Sequence, residues 1–152
     1  MKVYRLSRRR FSFELSGKGA SKFGNRWNSK GVEIVYTADS RALAMAEVAV
    51  HLTIATLPKE YVMMVIEIPD ALQIEEINIS ELQEAWNNFP GLKETQNIGD
   101  QFIENKISCV LKVPSAVVKG DFNYLINPYH TDFKKIKIEE VADFPFDRRM
   151  FK

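Results

Sequence analysis

Apolar positions along the chain fall into short runs of alternating or continuous β type, separated by polar, turn-rich stretches and by three segments of helical character. Val3 to Leu6 alternates apolar and polar residues and predicts an opening strand. From Ser16 to Gly31 the rhythm dissolves into Gly, Ser, Lys and Asn, which predicts a functional loop. Glu33 to Thr37 is β-branched and aromatic, hence a strand, and Asp39 or Ser40 then caps a helix reaching to about Leu52. Pro58 falls in the connection that follows. Tyr61 to Ile68, closed by Pro69 and Asp70, is apolar enough for a central strand, and Ile74 to Ile79 reads as another. Ser80 to Gly91 predicts a short helix ended by Pro90 and Gly91, and Thr95 to Asn105 a second one. Cys109 to Val113 is a strand cut off by Pro114, which has no N–H to give the next ladder bond. Phe122 to Ile126 and Lys134 to Ile138 are the remaining strands, the latter alternating Lys with Ile as a half-exposed edge does. No repeat, low-complexity tract or linker interrupts the pattern. Residues 1–152 are therefore read as a single α+β domain, a mixed β-sheet core flanked by helices.

Composition narrows the chemistry. A chain of 152 residues, 45% apolar and 27% charged, can bury a core without disulfides or structural metal. Cys109 is the one cysteine, and His51 and His130 add no zinc-ligand spacing, so no metal is expected. The N-terminal stretch lacks the continuous apolar segment of a signal peptide or membrane span, which predicts a cytoplasmic protein with no membrane association. The formal net charge of +1 conceals an asymmetry: residues 1–41 hold 10 Lys/Arg against 3 Asp/Glu, and the remainder 11 against 17. A basic first quarter suits a polyanion or a phosphate-bearing small molecule, and a solvated basic face has the same composition.

Several residues are out of place in their segments. From Ala42 to Val50 every residue is apolar except Glu47, in a helix that must be mostly buried. At about 100° per residue Glu47 lies about 40° from Leu43 and about 60° from Val50, on the apolar side. A carboxylate there needs a cation or several hydrogen-bond donors, or points into a cleft; a solvated helix face is the alternative. In the basic loop, Gly24 frees the backbone and Trp27 anchors the segment, so that Arg26 is placed to grip a phosphate with two bonds or to stack on the indole. Tyr36 ends the strand before the Glu47 helix, where a ring closes a cleft wall or joins the core. Ser115 follows the Pro-terminated strand and suits binding better than attack, because no Gly-x-Ser-x-Gly motif is present. The stretch from Asn123 to Asn127 and Pro128 ends the next strand at a turn, where either Asn can satisfy backbone groups. Gly-x-Gly-x-x-Gly, Walker A and His-Glu-x-x-His motifs are absent, which removes common dinucleotide, nucleoside-triphosphate and zinc-protease signatures. The residues alone point to a cleft with Arg, Tyr, Glu and Ser for a phosphate-bearing, aromatic ligand.

In order along the chain, Gly24-Asn25-Arg26-Trp27-Asn28-Ser29-Lys30-Gly31, Val35-Tyr36-Thr37-Ala38 and Ala44-Met45-Ala46-Glu47-Val48 with His51-Leu52 resemble the RES domain. The similarity continues through Leu57-Pro58, Ile68-Pro69, Gln96-Asn97-Ile98-Gly99-Asp100, Val113 to Val118, Asn123 to Pro128 with His130, and Phe146 to Arg149. The Arg, Glu and Ser that give the family its name fall on Arg26, Glu47 and Ser115. Phe102 stands where Trp is common and Asp121 where Glu is common, and neither touches those three positions. The resemblance implies an ADP-ribosyltransferase-like fold and the toxin of a bacterial toxin–antitoxin pair. Its substrate is NAD, cleaved at the nicotinamide–ribose bond by hydrolysis or phosphorolysis. Its partner is an antitoxin with an Xre-like helix-turn-helix that covers the active site.

On that reading Glu47 stabilises oxocarbenium character as the bond breaks, and Arg26 clamps the pyrophosphate with Arg5 as a second candidate. Tyr36 flanks the nicotinamide, Ser115 bonds the nicotinamide ribose or a phosphate oxygen, and Asn127 supports that wall. Two rivals stand beside it. One is a protein ADP-ribosyltransferase using the same residues. The other is a nucleic-acid module in which Arg5, Arg8 to Arg10, Lys18, Lys22 and Arg26 meet phosphates. The basic segment lacks a recognition motif, so direct nucleic-acid binding is not expected.

Overall fold

The β-branched runs form strands and two of the three helical segments form helices, in the order β1 (Lys2–Arg8), α1 (Lys18–Phe23), β2 (Val35–Ala38), α2 (Arg41–Ala49), β3 (Tyr61–Glu67), β4 (Ile74–Glu76), α3 (Lys93–Asn105), β5 (Val110–Pro114), β6 (Phe122–Ile126) and β7 (Lys137–Asp143). These come from a computed structural model that describes residues 1–53, 59–91 and 93–151. Pro58 lies outside the described residues. The strands make one seven-stranded mixed sheet in the order β4-β5-β6-β2-β1-β3-β7, in which β4 and β5 are parallel and every other neighbouring pair is antiparallel. The expected α+β arrangement of a mixed sheet with flanking helices is the one observed.

The sheet has a weak seam. β1 pairs with β3 through seven residue pairs and β2 with β6 through four, but β1 and β2 share only Tyr4 opposite Ala38. The sheet is thus two lobes, β4-β5-β6-β2 and β1-β3-β7, hinged at one pairing. Where the strands diverge, the Arg5 guanidinium donates to the carbonyl oxygen of Tyr36 at 2.9 Å.

Strand alternation sorts the side chains between two faces. On one face Val3, Val35, Met64, Ile66, Val110, Tyr124 and Ile126 form a buried cluster. Cys109 joins them, and its thiol is pushed up to about 11, chiefly by burial, so it is protonated at neutral pH. On the other face lie two clusters side by side. Leu6, Ala38 and Met63 meet Leu43 and Ala44 of α2, while Leu111, Val113 and Leu125 meet Phe102 and Ile103 of α3 together with Trp27 and Trp86. Tyr36 and Ala38 share a face of β2, so α2 and the α3–loop layer stand next to each other with Tyr36 between them.

Several boundaries differ from the sequence pattern. The expected loop over 16–31 contains a short helix, α1. The segment from Ser80 to Gly91 is not an α-helix: a single 3-10 turn at Ile79–Glu81, closed by a capping box with Asn78, gives way to turns. Trp86 is drawn into the core by its contact with Trp27, 6.1 Å between ring centres, and that tertiary contact overrides the local pattern. A 3-10 turn capped by the His130 ring occupies Thr131–Lys135, so the edge strand starts at Lys137 and not Lys134. The helix carrying Glu47 ends at Ala49 and buries only Leu43 and Ala44, so it rests on the sheet by one side and is not engulfed by it. Among the described residues no helix is long and apolar enough to cross a membrane.

α2 starts where the Ser40 hydroxyl accepts the Leu43 N–H at 3.0 Å. Removing that cap by Ser40→Ala is expected to lower the unfolding free energy by about 1 kcal/mol, read from urea denaturation.

Candidate active site

Three segments converge at the junction of the two helical layers: the loop bearing Arg26, the half-buried side of α2 bearing Glu47, and the turn after β5 bearing Ser115. Gly24, at φ +76°, opens the loop in a conformation that a side chain would strain. Asn28 then ties it. Its buried side-chain amide donates to the carbonyls of Ala20 and Val32 at 3.0 and 2.9 Å, and its oxygen accepts the Tyr36 phenol at 2.6 Å. The same phenol accepts the Trp27 N–H at 3.1 Å. Burial, the first cause, holds the Tyr36 phenol well above its usual range, with the Asp100 and Glu47 carboxylates adding to the rise. The group is a neutral donor throughout the physiological range.

Arg26 leaves this loop toward the 86–88 segment. Its guanidinium donates to the carbonyls of Trp86 at 2.8 Å and Asn88 at 3.1 Å, which leaves further N–H groups of the fork for another acceptor. Burial lowers its pKa, and the charge of Glu47 opposes that lowering; Tyr36 lies within electrostatic reach of both groups. No salt bridge is made by Arg26 or Arg5 among the described residues. Burial also lowers the pKa of Arg5.

The turn after β5 gives Glu47 its hydrogen bond. Pro114 ends the ladder opposite Phe122, and the chain turns so that the Ser115 hydroxyl accepts the N–H groups of Val117 and Val118 at 3.1 and 3.0 Å. Its own proton goes to Glu47 Oε1 at 2.8 Å. A hydroxyl offers one donor and two acceptor positions, so Ser115 is fully engaged within the protein. The serine thereby holds the Glu47 carboxylate in place.

Arg26, Tyr36, Glu47 and Ser115 are thus brought together, and two other candidates sit elsewhere. Arg5 shares a face of β1 with Val3, opposite the Tyr4 and Leu6 side chains under α2, and reaches the seam at the Tyr36 carbonyl. Asn127 is fully buried at the end of β6, where its amide donates to the Ile103 carbonyl at 3.1 Å and its oxygen accepts the Tyr129 N–H at 2.9 Å. That is the backbone-satisfying role open to either Asn; Asn123 likewise donates to the Thr37 carbonyl at 3.3 Å. Among the described residues no group of three or more His, Cys, Asp or Glu side chains converges as a metal site. A cleft of about 480 Å³ lies apart from these residues, between Arg9, Tyr61 and Phe144 to Phe146.

Sequence reasoning gave no role to α3, yet its residues brace the Arg26 loop. Gly99 allows helix and loop backbones to touch: a Cβ there would overlap the carbonyl oxygen of Trp27. A glycine inside a helix costs about 1 kcal/mol relative to alanine, and that local penalty was the available signal of a close approach. Replacing Ser115 by alanine is expected to cost about 1–3 kcal/mol of stability, because two N–H groups and a carboxylate lose their partner. Thermal or urea unfolding of Ser115→Ala checks this.

With this geometry in place, comparison with known proteins is direct. The family model described as the RES domain matches residues 2–149. The Prs ADP-ribosylating toxin of Sphingobium sp. (strain YBL2) is 39% identical over 141 residues, covering 91% of this chain and 88% of that protein. Toxin Res of Yersinia enterocolitica is 34% identical over 152 residues, covering 99% of both. A chain of the M. tuberculosis MbcT-MbcA toxin-antitoxin complex superposes with a TM-score of 0.77 at 22% identity, covering 94% of this chain and 83% of that one, which shows a shared fold. The match runs nearly end to end and takes in the Arg26 loop, Glu47 and Ser115 alike: the chain belongs to the RES domain family.

Proposed function

We propose that the chain is the toxin of a bacterial toxin–antitoxin pair and that its seam cleaves NAD at the nicotinamide–ribose bond. The observation that carries this reading is the Ser115 to Glu47 hydrogen bond of 2.8 Å, which fixes a carboxylate within electrostatic reach of the Arg26 guanidinium. Cleavage requires both charges. The bond from the ribose C1′ to the ring nitrogen breaks with its electron pair moving to the nitrogen, which neutralises the pyridinium and leaves positive charge on the sugar. A carboxylate held in place stabilises that charge more than it stabilises the ground state. Water, or phosphate, then forms the new C1′–O bond and gives up a proton. Arg26 holds the pyrophosphate through its remaining N–H groups. Tyr36 flanks the nicotinamide, and Ser115 acts through Glu47 as a positioning residue.

Transfer of ADP-ribose to a protein side chain is the second reading. It is favoured by the likeness to a relative named as an ADP-ribosylating toxin. The partner in this proposal is an antitoxin of the Xre-like helix-turn-helix class. The shared fold with a chain from a toxin-antitoxin complex supports an antitoxin partner.

Purified protein incubated with NAD in phosphate-free and phosphate-containing buffer tests the reaction by product analysis. ADP-ribose in both buffers identifies a hydrolase, ADP-ribose 1″-phosphate with phosphate only a phosphorylase, and label on protein a transferase. No nicotinamide under any of these conditions overturns the proposal. Glu47→Gln, close to isosteric, is expected to cut turnover by about 100-fold or more with folding intact. Full activity in that variant removes Glu47 from the role. Arg26→Ala is expected to raise KM for NAD by about tenfold or more, since a charge-assisted two-bond grip is lost.

A further inference from the structure

Beyond the bonds that Asn28 makes within it, the Arg26 loop is braced from outside. Its backbone is pinned on both sides of Arg26 by one face of α3. The Gln96 amide donates to the Asn25 carbonyl at 3.0 Å, and the Thr95 hydroxyl to the Arg26 carbonyl at 2.6 Å. Asp100 accepts both the N–H and the hydroxyl of Ser29, at 2.9 and 2.5 Å, and Lys93 donates to the same hydroxyl at 3.1 Å. Lys93, Gln96 and Asp100 recur at helical spacing and so present one face, and Gly99 beside them lets that face reach the loop backbone. Asp100 is the only carboxylate in this clamp. Its two bonds are charge-assisted, the strongest kind available to the loop.

We infer that Asp100, acting through Ser29, is a positioning residue that fixes the loop so that Arg26 meets the pyrophosphate, an assignment that rests on the reading of Arg26 proposed above. Asp100 has no bond to the Arg26 side chain among the hydrogen bonds that hold the loop, and α3 contributes no side chain to the Glu47–Ser115 pair. Loss of Asp100 therefore acts on the cation and not on the carboxylate. The consequence is separable in kinetics. A loosened Arg26 weakens an interaction made equally in the ground and transition states, which raises KM and spares kcat.

The test compares wild type with Asp100→Ala, Asp100→Asn, Arg26→Ala and the double variant Asp100→Ala/Arg26→Ala in steady-state NAD cleavage. Hydrogen exchange is measured on the same proteins without substrate. Asp100→Ala is expected to raise KM by about tenfold while kcat stays within about threefold. Asp100→Asn recovers part of the loss, because the amide oxygen still accepts the Ser29 N–H. In the Arg26→Ala background the Asp100 change adds no further rise in KM. Exchange across residues 24–31 accelerates in Asp100→Ala, while β5, β6 and α2 keep wild-type rates. An unchanged KM, an additive double variant or unchanged protection of 24–31 overturns the inference. Should Asp100→Ala fail to fold, Asp100→Asn and Ser29→Ala carry the same comparison. If wild type releases no nicotinamide, the NAD reading falls, and the exchange experiment alone decides whether Asp100 fixes the loop.

Discussion

The structure turns on the single pairing that joins β1 to β2. A sheet zipped along its whole length presents two continuous faces to be covered by apolar side chains. Here the two central strands meet at Tyr4 and Ala38 and then diverge, which leaves backbone groups and polar side chains at the middle of the molecule. The Tyr36 carbonyl at the divergence is served by Arg5. On the neighbouring face the gap between α2 and the α3 layer receives Arg26, Tyr36 and Glu47. Charged groups are tolerated there because the apolar residues of that face are divided into two clusters, one under α2 and one against α3, while the cluster on the opposite face runs unbroken across the seam.

Each polar group at the seam is supported from an apolar layer. Tyr36 and Asn28 exchange a hydrogen bond over the Trp27 cluster, and the Ser115 hydroxyl is fixed by a turn whose Val118 packs beneath α2. The charges are thus borne on rigid elements, in line with the demand that a site be held to a fraction of an ångström. Arg26 departs from the usual pattern for a half-buried cation, since backbone carbonyls of the 86–88 segment and not a carboxylate satisfy it. A guanidinium solvated by carbonyl dipoles keeps its full charge for an anionic ligand, whereas one locked in a salt bridge must first give up its partner.

How far the sequence disclosed this depends on the range of the interaction. The strands were legible because β-branched runs and Pro114 act locally, and Ser40 was legible as a cap for the same reason. Glu47 stood out because a lone carboxylate on an apolar helix face is anomalous in any fold, and Arg26 and Tyr36 drew attention through their neighbours. What escaped was set by contacts distant in sequence. The turns from Ile79 to Gly91 follow Trp86 into its cluster, and the loop's dependence on α3 rests on bonds between residues about 70 positions apart. Asn127 looked like Ser115 in sequence, a polar residue just after a strand, yet one serves only backbone groups and the other serves a carboxylate. The difference is made by what lies across the sheet, which no local pattern contains.

The bond between Ser115 and Glu47 has a further consequence, in entropy. A free glutamate side chain on a helix samples several rotamers, and confining it costs up to about 2 kcal/mol. In this protein that confinement is completed during folding, by a hydroxyl itself locked to two backbone N–H groups. A molecule entering the seam meets a carboxylate that has already lost its freedom. Its own binding energy is left for distorting and orienting itself.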